Sequence, residues 1–552
     1  NLLRSAIEHP DAAIKELKIL SDPEEYELLE VFSGTSEAYP QGETVISLFA
    51  KQAISTPDHV AIVFEEEELT YKELDEKSNQ LAHYLTSQGI GKEVLVPVCF
   101  ERSLEMIIGI LGIMKAGGAY VPIDPKHPKS RIETILEDCN AEILLTQEKL
   151  KSDLFADQDI RCIALNAEQA LWENLSTDGL AHEITPNQLV YIIYTSGTTG
   201  KPKGVMIEHH NLYNFLKSFS SRVFEDGFVR LLSIASSTFD PSLLEYFIPL
   251  TQGGELILIH DEDLDDANKL ASKINYYKPN VIECTPSRWQ TLKEINWSCD
   301  FDLKILCGAE HLSNDLKSYL LSNSTSCWNL YGPTETTIWS TVIELNDAVN
   351  NVGKPIPNTE IYILDADLKL VPKGISGEIY IGGGGLSRGY LNRPELTEEK
   401  FISHVFKSGK QLYKTGDLGR WLEDGNIEFI GRSDNQVKIR GYRIELGEIE
   451  SQLDHINDVQ QSAVIVVGEN ISDKQLVAYY TSDEEIDSES LKSGLKSVLP
   501  EYMVPKVYLY LDKFPLTVSG KINRKALPIP DIIAYQKKEY VSPQTSTEKI
   551  LV

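Results

Sequence analysis

Short apolar runs rich in β-branched residues punctuate this chain, separated by turn residues and amphipathic stretches. Leu189-Val190-Tyr191-Ile192-Ile193, Val94-Leu95-Val96-Pro97-Val98-Cys99-Phe100 and Glu255-Leu256-Ile257-Leu258-Ile259 are of this kind. Each is too short for a buried helix and predicts a strand. Their alternation with amphipathic segments through residues 41–430 predicts layered α/β domains. Pro97 has no N–H to give to a ladder, so its strand is expected at a sheet edge or split. Further on, Arg443-Ile444-Glu445-Leu446-Gly447-Glu448-Ile449-Glu450 predicts the opening of an amphipathic helix. Val464-Ile465-Val466-Val467 and Val507-Tyr508-Leu509-Tyr510 predict strands, so a second, smaller domain is expected to begin near Asp434. Residues 1–40 are acidic and helix-like until Phe32-Ser33-Gly34-Thr35, which marks a loop.

Composition narrows the classes. A chain of 552 residues exceeds what one hydrophobic core serves, and 42% hydrophobic content is ordinary for a globular protein. The net charge of −31 argues against a general binder of nucleic acid or of anionic membranes, both of which need clustered lysine and arginine. No run approaches the length of a membrane-spanning helix. The seven cysteines show no CxxC spacing, which fits reduced thiols in a cytoplasmic protein better than a disulfide framework or a zinc site.

The densest chemistry follows the Leu189 strand. Tyr194-Thr195-Ser196-Gly197-Thr198-Thr199-Gly200-Lys201-Pro202-Lys203-Gly204 gathers hydroxyls, glycines and two lysines in one loop. Glycines let backbone N–H groups turn toward a ligand, hydroxyls add donors and lysines add charge, which suits a polyphosphate. The loop is not a Walker A motif: Thr195 stands where that pattern needs glycine, and Pro202 where it needs serine or threonine.

This loop resembles the phosphate loop of the adenylate-forming superfamily, in the branch of nonribosomal peptide synthetase adenylation domains. Further motifs match in the family's order. Leu69-Thr70-Tyr71-Lys72-Glu73-Leu74 and Met114-Lys115-Ala116-Gly117-Gly118-Ala119-Tyr120-Val121-Pro122-Ile123-Asp124 precede the loop. Asn329-Leu330-Tyr331-Gly332-Pro333-Thr334-Glu335-Thr336, Gly377-Glu378-Ile379-Tyr380-Ile381-Gly382-Gly383, Tyr413-Lys414-Thr415-Gly416-Asp417-Leu418, Gly431 to Glu445, and Pro515-Leu516-Thr517-Val518-Ser519-Gly520-Lys521 follow it. The resemblance implies an α/β fold: a large body of several layered subdomains and a small, mobile α+β C-terminal lid. It divides the chain into a linker after a condensation domain (1–40), the body (41–433), the lid (434–538) and the entry into a carrier-protein domain (539–552), so the chain is expected to be cut from a longer protein.

The same resemblance implies that a carboxylate attacks the α-phosphate of ATP, and that a carrier-bound phosphopantetheine thiol then takes the acyl group. Lys201 and the loop residues Thr195, Ser196, Gly197, Thr198, Thr199, Gly200 and Lys203 would cradle phosphates. Thr334 would reach the α-phosphate, and Glu335 would bind Mg²⁺, a cation that prefers oxygen ligands. Asn329, Tyr331 and Gly332 would hold adenine, Asp417 the ribose hydroxyls, and Arg432 the ribose and phosphate. Lys521 would bridge the α-phosphate and the substrate carboxylate, with the lid's hinge at Asp434.

Asp240 matches the family's aspartate for an α-ammonium. A buried carboxylate needs a cationic partner, which favours an amino acid over a fatty or aryl acid. On local sequence alone Asp240 also reads as an N-cap before Leu243-Leu244. Pro241, Leu244, Glu283, Leu306, Gly308, Leu330, Ile338 and Trp339 match the family's pocket positions, with Cys284 as the other register for Glu283. This set is bulky and apolar, which leaves room for glycine. Glu283 is discordant, and alanine or a small polar amino acid remains the alternative. The pattern resembles bacillibactin-type siderophore synthetase modules, some of which bind an MbtH-like activator protein. The competing readings are an acyl-CoA synthetase and a non-catalytic adenylate-binding scaffold.

Overall fold

The structure, a computed structural model, describes residues 1–552 except 14–15, 39–41, 198–199, 225–226, 435, 469–472, 518–520 and 531–552. The predicted entry into a carrier domain at 539–552 therefore lies outside the described residues, as do Thr198 and Thr199. The chain folds as two compact units. The first comprises Asn1–Lys126, Ile132–Thr195 and Pro202–Asp434; the second comprises His127–Arg131, Ser196–Lys201 and Asn435–Val552. Residues 1–40, expected as a linker, are thus part of the first unit.

The first unit holds three sheets. The largest runs in the spatial order Lys354–Pro355, Thr341–Glu344, Ser326–Tyr331, Lys304–Gly308, Val281–Cys284, Arg230–Leu232, Glu255–Leu258, Val60–Phe64 and Glu67–Thr70. A seven-stranded sheet follows the order Gly389–Tyr390, Lys203–Glu208, Leu189–Thr195, Ala119–Ile123, Leu95–Cys99, Ile143–Thr146 and Arg161–Ala164. The third, largely antiparallel, is built from Thr359–Leu364, Gly377–Gly383, Gln411–Trp421 and Phe401–Ser403, with Ile427–Arg432 paired to Gln411–Trp421. The interiors of the first two sheets are largely parallel, and their strands are almost wholly apolar because helices cover both faces.

The helices Val45–Ser55, Tyr71–Ser87, Leu104–Lys115, His209–Val223 and Pro241–Gln252 share one apolar core with strands of both large sheets. Leu104–Lys115 is buried nearly all round, as its unbroken apolar sequence requires. Its Gly112 lies against Leu81, where a Cβ would come within 2.8 Å of Leu81 Cδ2. The second unit pairs Gln436–Ile439 with Tyr442–Glu445, and packs helices Leu446–Asp454 and Ser488–Lys496 against a sheet of Gln461–Val467, Gln475–Thr481 and Val507–Tyr510. Among the described residues no helix is long and apolar enough to cross a membrane.

Two expectations are corrected. Pro97 sits in an interior strand, Leu95–Cys99, flanked by Ala119–Ile123 and Ile143–Thr146. Pairing with the latter starts at Val98, one residue on, so the missing N–H falls where only one neighbour is bonded. Arg443-Ile444-Glu445 belongs to a strand, and the helix begins at Leu446. There the antiparallel pairing with Gln436–Ile439 draws these residues into a strand and overrides the helical period.

The N-terminal segment is an integral layer of the third sheet. Ile361 N–H donates to Ser33 C=O (2.7 Å) and Asn358 N–H to Thr35 C=O (2.6 Å). Leu20, Leu28 and Phe32 join the apolar cluster of Ile361, Ile363 and Trp421. Gly34, at φ +144°, allows the close approach: a Cβ there would sit 2.0 Å from Thr359 O. Gly34→Ala is therefore expected to destabilise the first unit by about 1–3 kcal/mol. Thermal melting and limited proteolysis of residues 1–40 would show it; an unchanged melt with the segment still protected would refute the packing.

Candidate active site

The strand Ser326–Tyr331 carries Asn329 and Tyr331 to its end, and the chain then turns back through the 3₁₀ turn Thr334–Thr336. Gly332 makes this reversal possible: a Cβ would lie 2.4 Å from Ile338 O. Ser340 N–H closes the turn on Tyr331 C=O at 2.8 Å. Thr337 and Ile338 both have left-handed backbones, φ +65° and +66°. For a β-branched residue this is strain of roughly 1–3 kcal/mol. It persists because Thr337 Oγ1 donates to Gly385 C=O (2.7 Å) and the Thr336 and Ser340 hydroxyls bond each other at 2.7 Å.

Glu335, at the centre of this turn, is fully buried. Its Oε1 accepts from Lys203 Nζ (3.3 Å) and from the Tyr390 hydroxyl (2.7 Å). Lys203 Nζ lies 4.6 Å from the Tyr390 ring centroid, a cation–π contact. Lys203, predicted as a phosphate-loop cation, opens the strand Lys203–Glu208 and is itself buried against Glu335. Tyr390, in Gly389–Tyr390, belongs to no motif singled out in the sequence. Only the pairing of that strand with Lys203–Glu208 brings it here, through Tyr390 opposite Val205.

A second charged group surrounds Asp417. Its Oδ2 accepts from the Tyr331 hydroxyl (2.7 Å) and its Oδ1 from Arg432 Nη1 (2.7 Å). Arg432 also bonds Asp434 through Nε and Nη2, both at 2.7 Å, so the predicted hinge residue is tied to the predicted ribose ligand through one guanidinium. Asp417 and Arg432 face each other across Gln411–Trp421 and Ile427–Arg432. Burial and the Asp417 charge hold the Tyr331 phenol protonated, its pKa well above the ordinary tyrosine value. Asn329 Nδ2 donates to Asn351 C=O at 2.8 Å.

The pocket positions converge on one sheet face. Glu283 pairs with Leu306, and Gly308 with Leu330, on adjacent parallel strands. Side chains alternate along a strand, so Glu283, Leu306, Gly308 and Leu330 share a face. Cys284 pairs with Cys307 on the opposite face, in a different apolar core, which identifies Glu283 as the residue on the pocket side. The Trp339 indole N–H donates to Glu283 Oε1 at 2.7 Å. Its ring covers Gly308, where a Cβ would come within 2.7 Å of Trp339 Cη2. Leu244, Leu306, Leu330, Ile338 and Trp339 are buried in one core. Burial among them pushes the Glu283 carboxyl well above the usual carboxylate range; the charges of Glu245 and Asp240 add to this and the Trp339 bond opposes it.

Asp240 precedes the helix Pro241–Gln252, whose Pro241 occupies the first helical position. Asp240 is buried and stands at the N-cap position of that helix, as its local sequence suggests, but with helical dihedrals and no side-chain capping hydrogen bond.

Lys201, Ser196, Gly197, Gly200 and Lys521 lie in the second unit and Thr195 ends the first unit's strand Leu189–Thr195. The Ser196 hydroxyl donates to Arg443 C=O (2.8 Å), and Gly197 N–H donates to Glu448 Oε2 (3.0 Å). Lys201 and Lys521 are exposed, and the Lys521 carbonyl accepts from Thr517 N–H at 2.7 Å.

Residues 49–391 match the family model of AMP-binding enzymes, and residues 448–521 that of the AMP-binding enzyme C-terminal domain. Bacitracin synthase 1 of Bacillus licheniformis is 43% identical over 536 residues, covering 96% of this chain and 10% of that protein. Gramicidin S synthase 2 of Brevibacillus brevis is 40% identical over 556 residues, covering 99% of this chain and 12% of that protein. The chain thus spans only a small part of the curated relatives it matches. Among solved structures, a four-domain nonribosomal peptide synthetase bound to AMP and glycine aligns with TM-score 0.72 and 36% identity, over 96% of this chain and 39% of that one. A protein of adenylation and carrier domains bound to a vinylsulfonamide inhibitor aligns with TM-score 0.77 and 25% identity, over 94% and 86% of the two chains.

Removing Lys203 leaves Glu335 buried without its cation. Lys203→Met is expected to cost about 3–5 kcal/mol, and Glu335→Gln together with Lys203→Met less than the sum of the single changes. Urea denaturation of the four proteins checks the coupling; additive losses would refute it.

Proposed function

Because the chain belongs to the AMP-binding enzyme family, as an ATP-dependent amino-acid adenylating ligase of the nonribosomal peptide synthetase type, we propose that its substrate is glycine. The observation that carries this reading is the pinning of Trp339. Its N–H is tied to Glu283, its ring lies over Gly308, and the backbone before it is strained into place. A wall held at several points does not yield to a larger side chain, and overpacking such a site costs about 1–3 kcal/mol. The glycine-bound relative is consistent with it. Glu283 ceases to be discordant: its carboxyl is already engaged by the Trp339 indole and burial favours its neutral form, so it asks for no cationic side chain.

Asp240 meets the α-ammonium and orients the carboxylate toward the α-phosphate of ATP. The carboxylate oxygen forms the bond to phosphorus and pyrophosphate leaves. Tyr331 lies against adenine, and Asp417 accepts from the ribose hydroxyls after exchanging part of its bonding with Tyr331 and Arg432. The carboxylate of Glu335, with the Thr334 and Thr336 hydroxyls beside it in sequence, fits a magnesium ion, which prefers oxygen donors. Bound there, magnesium supplies charge neutralisation at the phosphates. Lys201, Thr195, Ser196 and Gly197 hold the leaving pyrophosphate, and Lys521 stabilises charge on the α-phosphate. The glycyl group then passes to the phosphopantetheine thiol of a carrier-protein domain. The setting is a cytoplasmic synthetase with a preceding condensation domain, a siderophore-type product and an MbtH-like activator.

ATP–pyrophosphate exchange with each amino acid, with and without an MbtH-like protein, tests the reading. Exchange with glycine alone is expected. A larger preferred amino acid would refute the pocket assignment, and ATP binding without exchange would favour a scaffold. Trp339→Ala should extend acceptance to alanine; a variant still confined to glycine would show that Trp339 does not set the size limit. Lys521→Ala should abolish adenylate formation while thioester formation from a supplied adenylate survives; equal loss of both steps would overturn its role.

A further inference from the structure

The segment between the strand Arg230–Leu232 and Asp240 is held from two sides by buried charged residues that no motif includes. From the helix that Asp240 precedes, Glu245 turns back onto it. The Ser233 hydroxyl donates to Glu245 Oε2 at 2.7 Å and Ile234 N–H to Oε1 at 3.0 Å, while Ala235 N–H reaches both oxygens at 3.1 Å. From the start of another helix, Arg102 takes the carbonyls. Its Nη1 donates to Ser233 C=O (2.9 Å) and to Ser233 Oγ (3.0 Å), and its Nη2 donates to Ala235 C=O. Its Nε is anchored on Asp261 Oδ1 at 2.9 Å. Glu245 is wholly buried and Arg102 is 5% exposed.

The N–H groups of Ile234 and Ala235 and the carbonyls of Ser233 and Ala235 are therefore all engaged by two side chains. Glu245 lies five residues beyond Asp240, in the helix that Asp240 precedes, so its bonds close a ring that runs from Ser233 through Asp240 to Glu245. A residue inside such a ring moves only if charge-assisted hydrogen bonds break, each worth about 1.5–3 kcal/mol. An ammonium is recognised by a carboxylate at a fixed place, and a displacement of about 1 Å in a reacting group can cost a hundredfold in rate.

We propose that Glu245 and Arg102 are positioning residues that fix Asp240 and thereby set the protein's preference for acids bearing an α-amino group. They touch no substrate and act through the Ser233–Ala235 backbone. The inference rests on the assignment of Asp240 to the α-ammonium.

Two ligands that differ only in the amine, glycyl-sulfamoyl adenosine and acetyl-sulfamoyl adenosine, isolate this effect. Calorimetric titration of the wild-type protein, Glu245→Gln and Arg102→Lys is the experiment, with ATP as a third ligand. Glutamine keeps one acceptor oxygen but turns an N–H₂ toward the amides. The wild-type protein should favour the glycyl ligand. Glu245→Gln should lose about tenfold or more of that preference, with acetyl-ligand and ATP affinities within about twofold of wild type. Arg102→Lys should lose less. A structural role alone would weaken all three ligands together and would overturn the proposal, as would a folded Glu245→Gln that keeps the full preference. Ser233→Ala, which removes one donor only, provides the same readout if Glu245→Gln does not fold, with a loss of about threefold expected. A wild-type protein indifferent to the amine would overturn the Asp240 assignment itself; a wild-type preference retained in every variant would overturn only the positioning role.

Discussion

Glu335 is shut off from water, and a carboxylate in that position loses hydration worth several kcal/mol unless donors replace it. The demand falls repeatedly on a chain whose net charge is −31. Its buried carboxylates meet it in different ways, and those differences organise the first unit. Glu335 has a lysine and a phenol, Asp417 an arginine and a phenol, and Glu245 two backbone amides and a hydroxyl with Arg102 nearby. Glu283 has one indole N–H, and its carboxyl is pushed toward the neutral form. The first two are each met by a cationic side chain and a phenol. Glu245 is met mainly by backbone and hydroxyl donors and Glu283 by an indole, and burial raises the pKa of both.

The pairing of Glu335 with Lys203 bears on how phosphate chemistry is possible in so acidic a protein. A carboxylate buried like Glu335 would otherwise stand uncompensated. Lys203 and Tyr390 satisfy it within the protein, so the local charge is balanced before any ligand arrives. Asp417 is treated alike. Arg432 bridges it to Asp434, so the two carboxylates share a single planar guanidinium.

Much of this was legible in the sequence because each motif is contiguous. The turn after Tyr331 needs Gly332 where the chain folds back, and the loop after the Leu189 strand needs its glycines, so residue type and spacing travel together. The layered α/β character followed from short apolar runs, and the smaller unit from the change of pattern near Asp434. What was not legible acts across the chain. Tyr390 reaches Glu335 only through a strand pairing, and Arg102 meets Ser233 and Ala235 only after the two large sheets have shared a core. Pro97 misled because the edge rule speaks of a whole strand, whereas the structure frees one side of one residue. Arg443–Glu445 misled because a strand leading directly into a helix leaves no turn residue to mark the change.

The amino-acid pocket shows the same division between composition and arrangement. Its apolar residues could be read as a list, but a list of bulky residues fills space only if they cannot move aside. The arrangement supplies that rigidity. Gly308 leaves room for the Trp339 ring to approach the strand closely, Glu283 holds its N–H, and the left-handed Thr337 and Ile338 precede it. A pocket that admitted side chains would select among them by contact, where one methylene is worth only about 1–3 kcal/mol. A pocket that admits none selects by repulsion, which rises far more steeply with size than contact energy falls. The strain at Ile338 is then part of what holds Trp339 in place.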